Sequence, residues 1–286
     1  MQINLLVNTH RIDAIEAAKS TATFLKERRA LVGSERESAS LIGAEPIGSD
    51  KIGKADLVIT FGGDGTLIRG AHLCSAHGTP ILGVFFGRFG FVTQVDPNEL
   101  GAALSIFFDG AAKVQERLML QTELFRHGRL VATLHSLNEA VLQRAATTRM
   151  LHFEVTIDGH HLNSYPADGV LVATPTGSTG YNLSAGGPIV DPGADCLVLT
   201  AITPHTLSYR PLVLGSNSVI DLKIDTRGDA ILSCDGQSRL EMLSGDSVRI
   251  TKSQRVTRLV TVDDQDFLHK LTDRLFWTRR DPPVGD

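Results

Sequence analysis

Cysteine is scarce in this chain of 286 residues: Cys74, Cys196 and Cys234 are odd in number, far apart, and form no Cys-x-x-Cys pair. That pattern fits reduced thiols in a cytosol better than a disulfide framework or a zinc site of the usual spacing. Positive charge is not in excess either, since 28 Lys and Arg against 32 Asp and Glu leave a formal net charge of −4. Nucleic acid is therefore not expected as a partner, because binding a phosphate backbone needs a basic face. No apolar run approaches the ~18 residues that span a bilayer. Met1 leads at once into Ile3-Asn4-Leu5-Leu6-Val7, too short for an export signal and more like a first strand. There is no internal repeat and no low-complexity tract. With 42% apolar and 21% charged residues the composition is that of a globular chain with a packed core. A soluble, cytoplasmic protein without a membrane partner is the expectation.

The first third alternates strand and helix. Ile3 to Val7 reads as a strand, and Ile12, Ile15, Ala18, Ala22 and Leu25 then recur at helical spacing. Gly33 to Lys54, rich in Gly, Ser and charge, reads as loop with at most a short element. Asp56 to Phe61 is a compact apolar run ending in glycines, as a buried parallel strand would. Leu67 to Ala76 suits a helix closed by Gly78, and Pro80 to Phe86 the next strand. Asp96-Pro97-Asn98-Glu99 offers an N-cap, a first-turn proline and an acid for a helix to about Phe108. This alternation predicts an open, mostly parallel α/β sheet over residues 1–112.

From Lys113 the texture changes. Leu130 to Leu134, Phe153 to Ile157, Val219 to Ile224 and Ser247 to Ile250 are alternating runs separated by turn signals such as Asp158-Gly159 and Ser244-Gly245-Asp246. An all-β domain of sandwich type is predicted over 113–260. Within 261–286, Phe267 to Trp277 returns to helical spacing, with Phe267, Leu271 and Leu275 on one face. That helix is expected to pack on the first domain, ahead of a frayed tail from Arg279.

Gly62-Gly63-Asp64-Gly65-Thr66 falls between a buried strand and a helix, where open α/β sheets place nucleotides. Glycines let backbone N–H groups approach phosphate, and the following helix offers its positive end to an anion. Gly62, Gly63, Gly65 and Thr66 are thus candidate phosphate contacts. A tight turn with no ligand would use similar residues, with Asp64 as an N-cap. An N-cap gives no reason for glycine on both sides, so Asp64 is read as catalytic or metal-binding.

A second constellation follows Asp168-Gly169 and the strand Val170 to Ala173. Thr174 to Pro188 holds six hydroxyl side chains and four glycines in fifteen residues, which makes poor core and a good hydrogen-bonding surface. Thr176, Gly177 and Ser178 are candidate phosphate contacts, and Tyr181 is available to stack on a base. The structural alternative is a long surface loop. Asn138-Glu139 could read a ribose diol, the carboxylate accepting two hydroxyl protons, although a surface turn has the same composition. Arg69 and Arg149 could neutralise a pyrophosphate or be solvated charges. His160-His161 lie beside a hairpin turn without a third ligand, and no all-protein metal site is expected.

Together these residues resemble the NAD kinase family. The matching segments are Gly62 to Thr66, Gly87-Arg88-Phe89-Gly90-Phe91, Asn138-Glu139, Asp168-Gly169, Thr174 to Pro188, Pro204 to Pro211 and Asp235-Gly236-Gln237, in family order over most of the chain. The resemblance implies an N-terminal α/β domain, a C-terminal β-sandwich domain and a dinucleotide bound between them. It implies transfer of a γ-phosphoryl from ATP, or in some members inorganic polyphosphate, to the 2′-hydroxyl of the adenosine ribose of NAD, giving NADP. Mg2+ or another divalent cation would ride on the donor's phosphates, and homo-oligomers (dimer or tetramer) through the β domain are the family habit. By the same resemblance Asp64 is the proton acceptor, and Gly65 and Arg69 line the site. Asn138, Glu139, Asp168, Thr179, Gly180, Tyr181, Asn182, Leu183, Ser184 and Gln237 contact the dinucleotide, and Arg149 matches by position alone. Gly180 stands where the family usually has Ala, and Tyr165-Pro166-Ala167 precedes Asp168 where the family varies. Two rivals stay open on the residues: a lipid-type kinase sharing the Gly62 to Thr66 loop, and a non-catalytic NAD-binding regulator.

Overall fold

The computed structural model describes the chain except for residues 88–89, 93–94, 146–149, 207, 226–229, 262–266, 269–270 and 273–286. It divides into two compact units, Met1–Gln115 with Arg258–Asp286, and Glu116–Thr257.

In the first unit the order is β1 (Gln2–Val7), α1 (Ile12–Glu27), β2 (Leu31–Glu35), α2 (Arg36–Ile42), β3 (Glu45–Ile47), α3 (Ser49–Ile52), β4 (Leu57–Gly62), α4 (Asp64–Cys74), β5 (Ile81–Phe85) and α5 (Leu100–Phe108). The strands pair in parallel in the order β5-β4-β1-β2-β3. β1 and β4 are buried almost throughout, as strands of a parallel sheet covered on both faces must be. The chain runs outward from β1 to β3, then returns to β4 on the other side of β1. The strand order thus reverses between β1 and β4, and the crevice beyond their C-terminal ends is where such sheets take ligands. Ala14, Ala18, Ala22 and Leu25 of α1 pack on Ile3, Leu5, Ile59 and Phe61 in one apolar cluster.

The second unit holds most of β6 (Lys113–Arg126), then β7 (Arg129–Ser136), β8 (Glu139–Arg144), β9 (Leu151–Ile157), β10 (His160–Ala167) and β11 (Gly169–Ala173). A 3-10 turn at Thr176–Thr179 and the short α6 (Tyr181–Ser184) follow, then β12 (Cys196–Ile202), β13 (Leu212–Gly215), β14 (Ile220–Asp225), β15 (Ala230–Cys234), β16 (Ser238–Met242) and β17 (Ser247–Thr261). The end of β17 belongs to the first unit, where Leu259 pairs in parallel with Ile81. Strands β13-β12-β11-β8-β15-β16 form one antiparallel sheet. Its Ala140, Leu142, Val170, Val172 and Leu199 join Phe153, Val155, Ile220 and Leu222 of β9 and β14 in a shared core. The alternate positions Val141, Leu171, Ala173 and Val198 face the other way and are covered by Ala185 and Val190. β11 is therefore buried on both faces, with the Thr174–Pro188 segment as its lid.

The expected fold class, an α/β domain with a mostly parallel sheet followed by an antiparallel β domain, is borne out. Three local expectations need correction. Gly33 to Lys54 is not mainly loop: it holds most of β2, then α2, β3 and α3, and Gly43 (φ 71°) ends α2. The helix expected from Asp96 starts at Leu100, because the Asp96 carboxylate closes its own turn, accepting the Asn98 backbone N–H at 2.9 Å. The helix expected from Leu67 already starts at Asp64, inside the glycine loop. Of the expected C-terminal helix, Phe267, Leu268, Leu271 and Thr272 are helical, and the other positions lie outside the described residues.

Candidate active site

The loop Gly62 to Thr66 joins β4 to α4 at the reversal of strand order. Its three glycines are there for different reasons. A Cβ on Gly62 would come within 2.2 Å of Thr66 Oγ1 and 3.3 Å of Asn8 Cβ, so packing alone demands glycine. Around Gly63 and Gly65 a Cβ would meet nothing within 4 Å, and neither residue has a positive φ. Their missing side chains leave room above the first turn of α4, where N–H groups and the positive end of the helix favour an anion.

Asp64 is the first residue of α4 and half-buried. Its carboxylate accepts the backbone N–H of Phe91 at 2.9 Å and of Val92 at 3.4 Å, so the end of the Gly87 to Phe91 segment fixes its orientation. Arg69, farther along α4, is gripped by both carboxylate oxygens of Glu35 at the end of β2, Nη1 lying 2.8 Å from Oε2. Ser49 Oγ also donates to Glu35, at 2.7 Å. Burial pushes the Glu35 carboxyl up, but Arg69 and Ser49 outweigh it and hold it below the usual range.

In the second unit, strand register decides which candidates meet. Glu139 pairs with Ala173, and Ala140 with Cys234. Asn138-Glu139, the segment from Thr174 and the turn Asp235-Gly236-Gln237 therefore leave the sheet at one end. Asp168 sits at the other, about 17 Å along β11 at the usual strand rise. There Arg144 pairs with its carboxylate, with contacts at 2.8 and 3.3 Å. Within this unit Asp168 does not join the cluster. Arg149 lies outside the described residues.

The hydroxyl-rich segment contains two populations. One holds the loop together. Thr174 Oγ1 bonds the Leu137 carbonyl and accepts the Gly177 N–H at 3.0 Å. Ser178 Oγ donates to the Val190 carbonyl at 3.1 Å and accepts its N–H at 3.0 Å. The wholly buried Asn182 donates to the carbonyls of Ser178 and Pro188 and accepts from Thr200 Oγ1. The expectation that these polar residues make poor core is corrected for Thr174, Thr176, Ser178 and Asn182, which are all buried. The other population faces outward: Tyr181, Ser184 and Gln237 are exposed, and Thr179, Gly180 and Leu183 half-buried. A Cβ on Gly177 would lie 2.1 Å from the Asn138 carbonyl oxygen, so this loop docks on the Asn138 backbone only as glycine.

At that docking point Glu139 Oε2 and Asn138 Oδ1 are both buried without a hydrogen-bond partner. Two orphaned acceptors side by side are costly unless a ligand supplies donors. Burial first, and the charge of Asp235 second, push the Glu139 carboxyl up to about 7, against the pull of the Tyr181 backbone N–H. A Cβ on Gly180 would stand 3.0 Å from Glu139 Oε2, so glycine here keeps that oxygen open. Among the described residues no group of three or more His, Cys, Asp or Glu is arranged to hold a metal. Nor is any helix among them long and apolar enough to cross a membrane. Asp235 and Phe91 belong to segments that match the family without being candidate contacts, and Val92 belongs to none. The last two act through backbone N–H groups, which carry no residue signature.

Comparison with known proteins adds a second line. Residues 47–112 match the model for the ATP-NAD kinase N-terminal domain, and 137–262 that for the ATP-NAD kinase C-terminal domain. The NAD kinase of Geobacter metallireducens is 37% identical over 281 residues, covering 98% of this chain and 99% of that protein. That of Syntrophotalea carbinolica is 36% identical over 283 residues, covering 98% and 99%. Among solved structures, yeast NADH kinase complexed with NADH superposes with a TM-score of 0.92 at 26% identity, over 100% of this chain and 90% of that one.

Proposed function

Because the chain belongs to the NAD kinase family, we propose that it transfers the γ-phosphoryl of ATP to the 2′-hydroxyl of the adenosine ribose of NAD, making NADP. The observation that carries this reading is the Gly62–Thr66 loop, where a helix N-terminus lies under open space at Gly63 and Gly65 and carries one carboxylate, Asp64. The 2′-oxygen attacks the γ-phosphorus, the bond to the bridging oxygen breaks, and that oxygen leaves with ADP. An aspartate is too weak a base to ionise a ribose hydroxyl beforehand, so Asp64 first orients the O–H and takes its proton as the O–P bond forms. The N–H groups of Phe91 and Val92 hold the carboxylate ready for that task.

In the second unit Glu139 Oε2 and Asn138 Oδ1 are the acceptors for ligand hydroxyls, with Thr179, Tyr181, Ser184 and Gln237 beside them as further contacts. Thr174, Ser178 and Asn182 shape that surface from beneath. By the family resemblance a divalent ion enters as part of the substrate, on the ATP phosphates. Self-association and a cytosolic location belong to this reading through family resemblance, and gel filtration with light scattering tests the first.

The test is NADP formation from NAD, ATP and Mg2+ by purified wild type beside Asp64→Asn. The asparagine keeps an oxygen for the Phe91 N–H, so NAD still binds while turnover falls by about 10²–10⁴. Turnover at the wild-type rate in Asp64→Asn would remove Asp64 as proton acceptor. NAD binding without product from wild type would favour polyphosphate as donor or NADH as acceptor, and failing those a sensor.

A further inference from the structure

Asp235 belongs to a turn whose Asp-Gly sequence has an ordinary use. Asp235 (φ 53°) and Gly236 (φ 66°) both have positive φ, as a type I′ hairpin turn requires, and the Gln237 N–H closes the turn on the Cys234 carbonyl at 3.0 Å. Any Asp-Gly pair would do that much. This aspartate also reaches across to the start of β8. Its Oδ2 accepts the Leu137 N–H at 2.7 Å, and its Oδ1 accepts those of Asn138 at 2.8 Å and Glu139 at 3.0 Å. In return the Asp235 N–H donates to the Glu139 carbonyl at 3.0 Å. Four backbone bonds thus fix residues 137–139, the stretch that carries the two orphaned acceptors.

We propose that Asp235 is the positioning residue of the Asn138–Glu139 pair, and that the burial of the Glu139 carboxyl together with the negative charge of Asp235 makes uptake of a ligand hydroxyl by Glu139 a proton-releasing event. The second half rests on the reading above, in which Glu139 receives ligand hydroxyls. Among the described residues, the groups that act on the Glu139 carboxyl are Asp235 from the turn, the Cys234 thiol from β15, and Tyr181 from α6 through its backbone N–H. Burial pushes the thiol up to about 12, so it is neutral at physiological pH and Asp235 is the repelling charge. Burial first and the Asp235 charge second push the Glu139 carboxyl up to about 7, so in the free protein it holds its proton up to about neutral pH. A hydroxyl donating to Oε2 stabilises the ionised carboxylate, so ligand binding breaks the carboxyl O–H bond and passes the proton to solvent.

The test has one arm without ligand and one with NAD. Protein labelled with 13C at glutamate side-chain carboxyls gives one resonance that is missing in Glu139→Gln. That resonance should titrate near neutral pH in wild type and about one pH unit or more lower in Asp235→Asn, which keeps Oδ1 for two of the three N–H groups. A midpoint in the ordinary carboxylate range in wild type, or one unmoved by Asp235→Asn, overturns the proposal. In the second arm NAD is titrated calorimetrically between pH 6 and 8 in buffers of different ionisation enthalpy. Wild type should release a proton fraction that declines as pH rises, and Glu139→Gln none. NAD binding to wild type without proton exchange also overturns the proposal. A neutral midpoint in wild type that falls in Asp235→Asn, with no NAD binding, supports the Asp235–Glu139 pairing and sinks instead the assignment of NAD as ligand.

Discussion

Replacing Gly65 by alanine should move stability and activity in opposite directions. Gly65 is the second residue of α4, exposed, without positive φ, and a Cβ there meets nothing within 4 Å. The fold therefore loses no contact and gains no clash. Alanine is favoured over glycine within a helix by up to about 1 kcal/mol, less near an end, partly because it narrows the unfolded ensemble. The melting temperature should stay level or rise by about 2–4 °C. On the proposed function, however, the methyl group stands in the space through which the donor's phosphate would reach the N–H groups at the start of α4. Holding the phosphate off by about 1 Å costs on the order of 10²-fold in kcat/KM for ATP, about 2.7 kcal/mol. Thermal unfolding and initial rates of NADP formation, read on the same preparations, check both signs. Wild-type kcat/KM in Gly65→Ala would show that the space is not the donor's, and a melting temperature several degrees lower would refute the packing argument.

Gly177→Ala should behave in the contrary way, since its Cβ would lie 2.1 Å from a backbone oxygen that cannot rotate aside. Expected are a loss of about 1–3 kcal/mol in chemical denaturation and weaker NAD binding in calorimetry. Glu139→Gln should leave stability at pH 5 nearly unchanged and raise it at pH 8. A carboxyl raised from 4.5 to about 7 on folding loses stability as pH climbs between those values, by up to about 3 kcal/mol. Urea unfolding at the two pH values reads the difference. Asp246 runs the other way. Burial pushes it up, but Arg126 at 2.8 Å and the Leu243 N–H outweigh this and hold it below the usual range. Its contribution is present above the unfolded value and lost as pH falls through the lower folded one. Arg126→Ala should therefore lower stability at pH 7 and have much less effect in strong acid, by the same unfolding assay.

The parts of the fold legible in the sequence were those with long, uniform signals. Asp56 to Phe61 is apolar because β4 is covered on both faces, and Asp158-Gly159 makes a hairpin because both residues accept positive φ (51° and 78°). The stretch from Gly33 to Lys54 was not legible, since each of its elements is seven residues or fewer and none completes two helical turns of pattern. Ile12 shows the same limit inside a correctly read helix: it fits the apolar spacing, yet it is 74% exposed at the start of α1.

At the candidate site the sequence showed which residue types were present, but not which of their polar atoms were already engaged. Asn138 and Asn182 are the same side chain in adjacent motifs. The amide of Asn182 is consumed by Ser178, Pro188 and Thr200, whereas Asn138 keeps a buried oxygen without a partner. Thr179 and Ser178 are both engaged but differ in exposure: the half-buried Thr179 donates to the Thr176 carbonyl at 3.3 Å, and the buried Ser178 is bonded across the loop to Val190. Folding sorts such residues because a buried polar atom must find a partner within the chain or be left for a ligand. The Asp235-Gly236-Gln237 match gives Gln237 as the contact, and the task of Asp235 stays hidden for the complementary reason: Asp-Gly is what a tight hairpin uses anyway, so a second task for the same carboxylate leaves no trace in composition. Only register, which sets Cys234 beside Ala140, brings that carboxylate over the N–H groups of residues 137–139. The candidate contacts thus depend on residues that contact no ligand, and an exchange at Asp235 or Asn182 should disturb the acceptor surface as surely as one at Glu139.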